Sequence, residues 1–484
     1  MKYDVVIIGS GWGGLVCARE LSKEGRSVLV LEQHEQAGGC LQSYRRGGQT
    51  FDTGLHYVGG LAEGQRLHRV FSHLGLMTLP WQRLDDDGFD RITIGQETYR
   101  FAQGYDRFAE TLAEQFPACR QALREYAALL QQVDQLPLGS PEVQRLGAVN
   151  AYDYLRERFA DPLLVNVLAG SAMKTELRRE TLPLFTFAHA NSSYVGSSWR
   201  LRGSGSMMVG KLVDDIEAAG GRIMTGSEVV SLKAVDGRIV AAVCKNGECY
   251  EGQHFISDIH PTMTFALVKE DGVLSRLFRR RINALENTFG MLTVSLALKP
   301  DTLPYFNHNK FVYDTADVWA LHEQANGVGG VMVSSQAPAD GAAFVQQIDL
   351  LAPVRTDLFA QWKDTRVGHR GEEYRRLKQQ MAARCVELAG RVVPGLAGMV
   401  SHTYVSTPLS WRDYTLTPDG SAYGVRKDCR QPLLTMLSPR TPVSNLLLTG
   451  QSLMLHGVEG VTMTALMTCA ELLGTDYIQK NLEI

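Results

Sequence analysis

The residues best suited to chemistry stand at the start of the chain. Gly9-Ser10-Gly11-Trp12-Gly13-Gly14 has GxGxxG spacing, follows the apolar run YDVVII and opens the helical run LVCARELSKEG. In that context each glycine has a task. Gly9 makes the tight turn, Gly11 lets backbone approach a pyrophosphate, and Gly14 lets helix and strand pack closely. The helix N-terminus attracts the phosphate charge. Glu32 ends the next strand, RSVLVLE, where an acid accepts hydrogen bonds from a ribose. These residues predict a dinucleotide site and hydride chemistry, and their spacing alone does not separate FAD from NAD.

The rest of the chain must position that site. Its 484 residues exceed one ordinary core, so two or three domains are expected. Forty-nine Lys and Arg against 52 Asp and Glu, with 44% hydrophobic residues, make nucleic acid a poor partner and disorder a poor description. The eight cysteines form no CxxC pair and no Cys/His cluster, so no disulfide framework and no metal site are indicated, and a reducing compartment fits. The chain opens on a strand without signal-peptide features, and no uncharged window is apolar enough to span a bilayer. A cytoplasmic location is expected.

The opening reads as a βαβ unit. Residues 105–135 place Phe108, Leu112, Phe116, Leu123, Tyr126, Leu130 and Val133 at helical spacing, with Pro117 between two helices. From residue 221, turns at Asp236-Gly237 and Asn246-Gly247 separate alternating apolar runs, which predicts a three-stranded meander. NLLLTG and HGVEGVTMTALMTCAELL close the chain as strand, loop and helix. No repeat or polar linker is present, so the domains must interleave. The expected fold is α/β, with a discontinuous Rossmann-like dinucleotide domain over 1–75, 200–265 and 426–484. An α+β substrate domain is expected over 76–199 and 266–425.

A second signal, Gly38-Gly39-Cys40, follows Glu32 and precedes FDTGLHYVGG. With RGSGSM at 202–207, TPLSWRDY at 407–414, GSAYG at 420–424 and LLLTGQ at 446–451, the sequence resembles the retinol saturase branch of the phytoene desaturase and carotenoid isomerase superfamily. The resemblance spans nearly the whole chain, in order. It implies an FAD enzyme of the two-dinucleotide-domain type that acts on C=C bonds of a long conjugated lipid. By position, Gly9, Ser10, Gly11, Gly13, Gly14, Glu32, Gly38, Gly39 and Cys40 would hold the adenosine-diphosphate end. Val229 would meet the adenine, and Gly450 and Gln451 would lie beside the ribityl chain. Gly54, Leu55 and His56, with Gly457, Val458 and Gly460, would surround the flavin ring.

Saturating a double bond needs hydride from the flavin and a proton from elsewhere, so His56, Tyr57 and Glu459 are the candidate acid/base groups. His56 and Tyr57 serve equally as a packed aromatic wall, and Glu459 as a helix-start acid facing water. His456 has a similar claim to His56. His189 and Tyr194 line a substrate tunnel or form a solvent-facing loop. Relatives place an acid just after the strand-end glycine, whereas this chain has Gln451 and Ser452. A second dinucleotide fingerprint is missing, so NAD(P)H, if it is the electron donor, binds transiently over the ring. Residues 273–285, VLSRLFRRRINAL, put Leu274, Leu277, Phe278, Ile282 and Leu285 on one helical face, either as core or against a membrane surface. Saturation is expected from the resemblance. Desaturation, isomerisation, an amine oxidase on a related fold and a flavin-binding protein without chemistry are the alternatives.

Overall fold

A computed structural model describes residues 2–323, 327–338 and 341–477; the last seven residues of the expected 426–484 segment lie outside this range. The first strand β1 (Lys2–Ile8), helix α1 (Trp12–Lys23) and strand β2 (Val28–Leu31) form the expected βαβ unit. The strands pair in parallel, Val5 opposite Val28 to Ile8 opposite Leu31. Both are almost wholly buried, as parallel strands covered on two faces must be. The sheet continues with Arg222–Met224 beyond β2 and Cys249–Ser257 beside β1.

The predicted meander is present. Val229–Val235, Arg238–Cys244 and Cys249–Ser257 run antiparallel through the Asp-Gly and Asn-Gly turns. The short strand Leu446–Leu448 pairs with the far end of Cys249–Ser257, Phe255 opposite Leu446. One sheet is therefore built from the beginning, the middle and the end of the chain. α1 lies between this sheet and the C-terminal helix Gly457–Leu473. The Trp12 indole donates to Thr462 Oγ1 at 2.7 Å, and Cys17 Sγ reaches Ala465 O at 3.5 Å.

Within this unit the backbone approach is tight at Gly14, where a Cβ would stand 2.4 Å from the Gly9 carbonyl oxygen. No side-chain rotation relieves that contact. Gly14→Ala is expected to cost about 1–3 kcal/mol, read as a lower denaturation midpoint, because helix and strand must separate. A midpoint equal to that of the parent would show that α1 can shift freely.

A second seven-stranded sheet was not evident in the sequence. Its order is Val400–Ser406, Gly290–Leu298, Gln347–Val354, Gly330–Ser335, Asn309–Tyr313, Asp90–Ile94 and Glu97–Phe101. One face packs on the helix Gly371–Gly390 through Tyr374, Met381, Cys385 and Leu388. The other, with Met291, Met332 and Leu351, faces the dinucleotide domain. The expected helices are Tyr105–Gln115 and Arg120–Gln135, broken at Pro117.

The basic amphipathic run forms the helix Arg276–Asn283. Leu274 and Ile282 are buried, and Phe278 packs edge-on against Phe265 at 4.8 Å. Its apolar face is core. Leu277 departs from the expected stripe and is 75% exposed, because the helix starts only at Arg276 and its buried face is set by Phe278 and Ile282, from which Leu277 is turned away. Arg279 donates to the Phe265 and Val268 carbonyls at 2.9 and 2.7 Å, capping the preceding helix. Among the described residues no helix is long and apolar enough to cross a membrane.

Candidate functional site

An elongated cavity of about 1430 Å³ runs along the C-terminal edge of the first sheet. Val229 and Ser227 line one end, Glu32 and the turn Gly9, Gly11, Gly13 come next, and Gly39 and Cys40 follow with Gly450 and Gln451. Gly54, Tyr423, Gly457 and Val458 line the far end. A lining that brings together the glycine turn, Glu32, Val229 and the start of the helix Gly457–Leu473 suits a dinucleotide. The N-terminus of α1 has no side-chain cap and no acid in its first turn, which leaves backbone N–H groups for an anion. A Cβ on Gly39 would stand 3.0 Å from Gly11 Cα, and one on Gly13 3.0 Å from Gly450 N, so the cradle depends on bare backbone.

Three of the sequence candidates support this cavity from outside. Ser10 is buried and donates its N–H and Oγ–H to Glu32 Oε2 at 2.9 and 2.6 Å, which orients the acid. Gly14 packs on Gly9, and a Cβ on Gly38 would meet Val209 Cγ2 at 2.7 Å. Sequence reasoning missed Asp258, which ends the strand Cys249–Ser257 and lines the cavity. Cβ atoms on Gly11, Gly13 and Gly450 would land 2.4–2.7 Å from its carboxylate oxygens, so the glycines are required as much by Asp258 as by a ligand. The only trace in the sequence is an acid at a strand end, HFISD.

Burial pushes the Asp258 carboxyl up to about 7, opposed by the Gly14 N–H and assisted by the Glu32 charge. Below that value the group is neutral and tolerates a pyrophosphate; above it a second negative charge stands in the cradle. Retention of the dinucleotide should weaken as pH rises through neutrality, by no more than about tenfold per unit. Asp258→Asn should flatten that dependence. Dialysis on either side of neutrality, followed by the absorbance of the bound cofactor, measures it.

A second cavity of about 970 Å³ meets the first at Gly54, Tyr423, Gly457 and Val458. Met173, Met291, Met332, Leu351 and Leu455 make it largely apolar. Leu55, His56, Tyr57, Glu459 and Gly460 line it rather than the dinucleotide cavity. Glu459 does not face water: in the first turn of Gly457–Leu473 it is 9% exposed, and its Oε2 has no hydrogen-bond partner. Burial raises its pKa, against the pull of Arg66 and the Ser193 hydroxyl. Burial and the Glu459 charge push Asp134, near the same Arg66, up to about 6. His189 and Tyr194 are not on a loop; they belong to the helix Leu184–Gly196 and line this cavity.

Burial, followed by the Arg200 charge, holds His56 at about 4, so its ring is neutral and its Nε2 is without a partner. Burial keeps His189 and His456 at about 4 as well. The Tyr57 hydroxyl donates to Asp90 Oδ2 at 2.8 Å, and its ring meets that of Tyr194 at 4.7 Å. Lys174, also unforeseen, extends its ammonium to 4.0 Å from the Tyr194 centroid and 5.4 Å from that of Tyr57. Asp90 lies 3.7 Å away. Burial lowers Lys174 to about 8 in spite of that partner. Asn309 donates to Asp90 Oδ1 at 2.9 Å, and the buried Arg200 donates to Asn309 Oδ1 at 2.6 Å. Lys174 also fixes the far end of the site, where its carbonyl meets His456 Nε2 at 2.5 Å and His456 stacks on Tyr423 at 4.4 Å.

Residues 7–74 match the NAD(P)-binding Rossmann-like domain family. All-trans-retinol 13,14-reductase of Danio rerio is 26% identical across 99% of this chain and 87% of its own length. Prolycopene isomerase of Daucus carota is 23% identical across 98% of this chain and 80% of its own length. The fold matches putrescine oxidase with a TM-score of 0.68 at 16% identity, covering 98% of this chain and 99% of that one. The Rossmann-like match, with the glycine cradle and its cavity, indicates a dinucleotide cofactor. Over nearly its whole length the chain is similar to a retinol reductase and to a prolycopene isomerase.

Proposed function

We propose that the protein is an FAD-dependent oxidoreductase that saturates a C=C bond in a long conjugated lipid of retinoid or carotenoid type. The observation that carries this reading is the apolar cavity opening directly onto the dinucleotide cavity, with a buried carboxyl, Glu459, in its wall whose Oε2 has no hydrogen-bond partner. The names of the relatives, a retinol reductase and a prolycopene isomerase, support a polyene substrate.

Gly9, Gly11 and Gly13 would hold the pyrophosphate, Glu32 a ribose, Val229 the adenine, and Gly450 and Gln451 the ribityl chain. When bound, the flavin supplies hydride at N5. The chain supplies the surroundings and the proton. Met173, Met291, Met332 and Leu351 exclude water and grip a polyene by its apolar surface. Glu459, whose pKa burial raises, would carry a proton into that space below its raised value. The N-terminus of the helix beginning at Gly457 would favour negative charge on a ring edge held beside it.

The amine oxidase alternative meets an obstacle in this cavity. The aromatic pair Tyr57 and Tyr194, where an amine's cation would be held, already has the Lys174 ammonium against it. A second cation there would be repelled.

The test is an anaerobic visible spectrum of the purified protein, followed by addition of a retinoid or carotenoid to enzyme reduced with dithionite. Reoxidation of the flavin with formation of a dihydro product supports saturation. A cis–trans product without net oxidation would replace it with isomerisation. Absence of flavin after reconstitution would overturn the assignment.

A further inference from the structure

The dinucleotide cavity has a second neighbour, different in chemistry from the apolar one. A solvent-open groove of about 2270 Å³ lies between the hairpin Ser43–Asp52, the edge strand Val400–Ser406 and the start of the helix Gly371–Gly390. It shares Gly39, Gln42, Trp411, Tyr414 and Thr415 with the dinucleotide cavity and no residue with the apolar one. A ligand in this groove therefore reaches the cofactor from a side that the lipid does not occupy.

Four cations, Arg46, Arg370, Arg375 and Lys378, line the groove against one acid, Asp52. Asp413 neutralises Arg370, and Glu372 pairs with Arg375 on the helix surface at 3.0 Å. Arg46 and Lys378 have no carboxylate within ion-pair distance among the described residues; Lys378 lies 5.6 Å from the Tyr374 centroid. Asp52 is buried, accepts from Gly205 N at 2.8 Å and Gln336 Nε2 at 3.0 Å, and is pushed up to about 6 by burial. The groove is thus short of negative charge. Its walls also carry flat rings: Tyr44 stacks on Phe51 at 5.6 Å, Tyr404 meets the same ring edge-on at 5.5 Å, and Trp411 and Tyr414 stand at the junction with the cofactor. Unpaired cations beside aromatic faces suit a ligand that has both phosphates and planar rings. A polyene has no use for them.

We propose that this groove binds a pyridine dinucleotide, with its phosphates on Arg46 and Lys378 and a ring against Tyr404 or Trp411. The proposal rests on the reading that the adjoining cavity holds FAD. It also accounts for the absence of a second GxGxxG unit, since an open groove between domains needs no nucleotide fold of its own.

Calorimetric titration of the flavin-loaded protein with NADP⁺ and with NAD⁺, at low and high ionic strength, tests the site without turnover. Binding by the parent should weaken with salt. The double variant Arg46→Gln/Lys378→Gln should bind at least about tenfold more weakly, with unchanged flavin content and melting midpoint. A preference for NADP⁺ over NAD⁺ would place the additional phosphate on these cations. Failure of both nucleotides to bind the parent, or unchanged affinity in the double variant, would overturn the proposal. Flavin content and polyene-driven reoxidation, measured on the same preparations, report separately on the proposed function.

Discussion

Glu459→Gln is expected to lower the rate of polyene saturation by about 10²–10⁴-fold while flavin content stays intact. The amide keeps the size and the polar contacts of the carboxyl but has no proton to give. The histidines and Tyr57 in the cavity are poorly placed to replace it. His56, His189 and His456 are neutral at ordinary pH, each held at about 4 by burial. The Tyr57 phenol is raised well above its usual value and donates to Asp90. The sign of the pH effect follows from the Glu459 shift. A raised carboxyl is protonated, and competent as an acid, below its raised pKa, so the rate should fall as pH rises through that value. The variant should lack this limb. A Gln variant that saturates polyene at close to the parent rate would remove Glu459 from the chemistry.

Asp90→Asn is expected to destabilise the protein by about 3–5 kcal/mol, the usual consequence of removing one partner from a buried ion pair. Asp90 is fully buried and faces two cations, Lys174, which is 13% exposed, and Arg200, which is 2% exposed. The Tyr57 hydroxyl and the Asn309 amide complete its hydrogen bonds. Without the carboxylate, Lys174 loses the interaction that opposes its desolvation and is expected to become a neutral amine. Denaturant unfolding of the flavin-loaded protein measures the loss. Adding Lys174→Met to Asp90→Asn should recover part of it, because the buried, unpaired amine is gone. A single variant within about 1 kcal/mol of the parent would show that water already screens the pair.

These two residues mark the boundary of what the sequence discloses. The glycine turn, the βαβ unit and the meander are legible because each depends on neighbours a few residues apart: a turn type, an alternation, an acid at a strand end. Glu459 is visible for the same reason, as an acid inside a glycine-rich helix start. Lys174 is one lysine in the run SAMK, and nothing within ten residues sets it apart. Its role comes from Tyr57, Asp90 and Tyr194, which arrive from three other parts of the chain. The second sheet is hidden in the same way. Asp90–Ile94 pairs in parallel with Asn309–Tyr313, across more than two hundred residues. The helix Leu184–Gly196 reads as loop because of Asn191, Ser192 and Ser193. Its polar side chains are satisfied internally, Asn191 donating to Phe187 O at 2.9 Å and Ser192 to His189 O at 3.2 Å, so it can be buried.

The sheet assembled from both ends of the chain has a consequence for biosynthesis. β1 and β2 leave the ribosome well before the strand Leu446–Leu448 and the helix that covers α1, which follow on the order of a minute later at ordinary elongation rates. Until then the face of α1 with Trp12 and Cys17 lacks that helix, and the dinucleotide cradle lacks Gly450. Loss of the helix Gly457–Leu473 and the strand before it would leave a polypeptide with its fingerprint glycines in place, an apolar helix face exposed to chaperones and proteases, and a dinucleotide cavity without the wall of Gly450, Gln451, Gly457 and Val458.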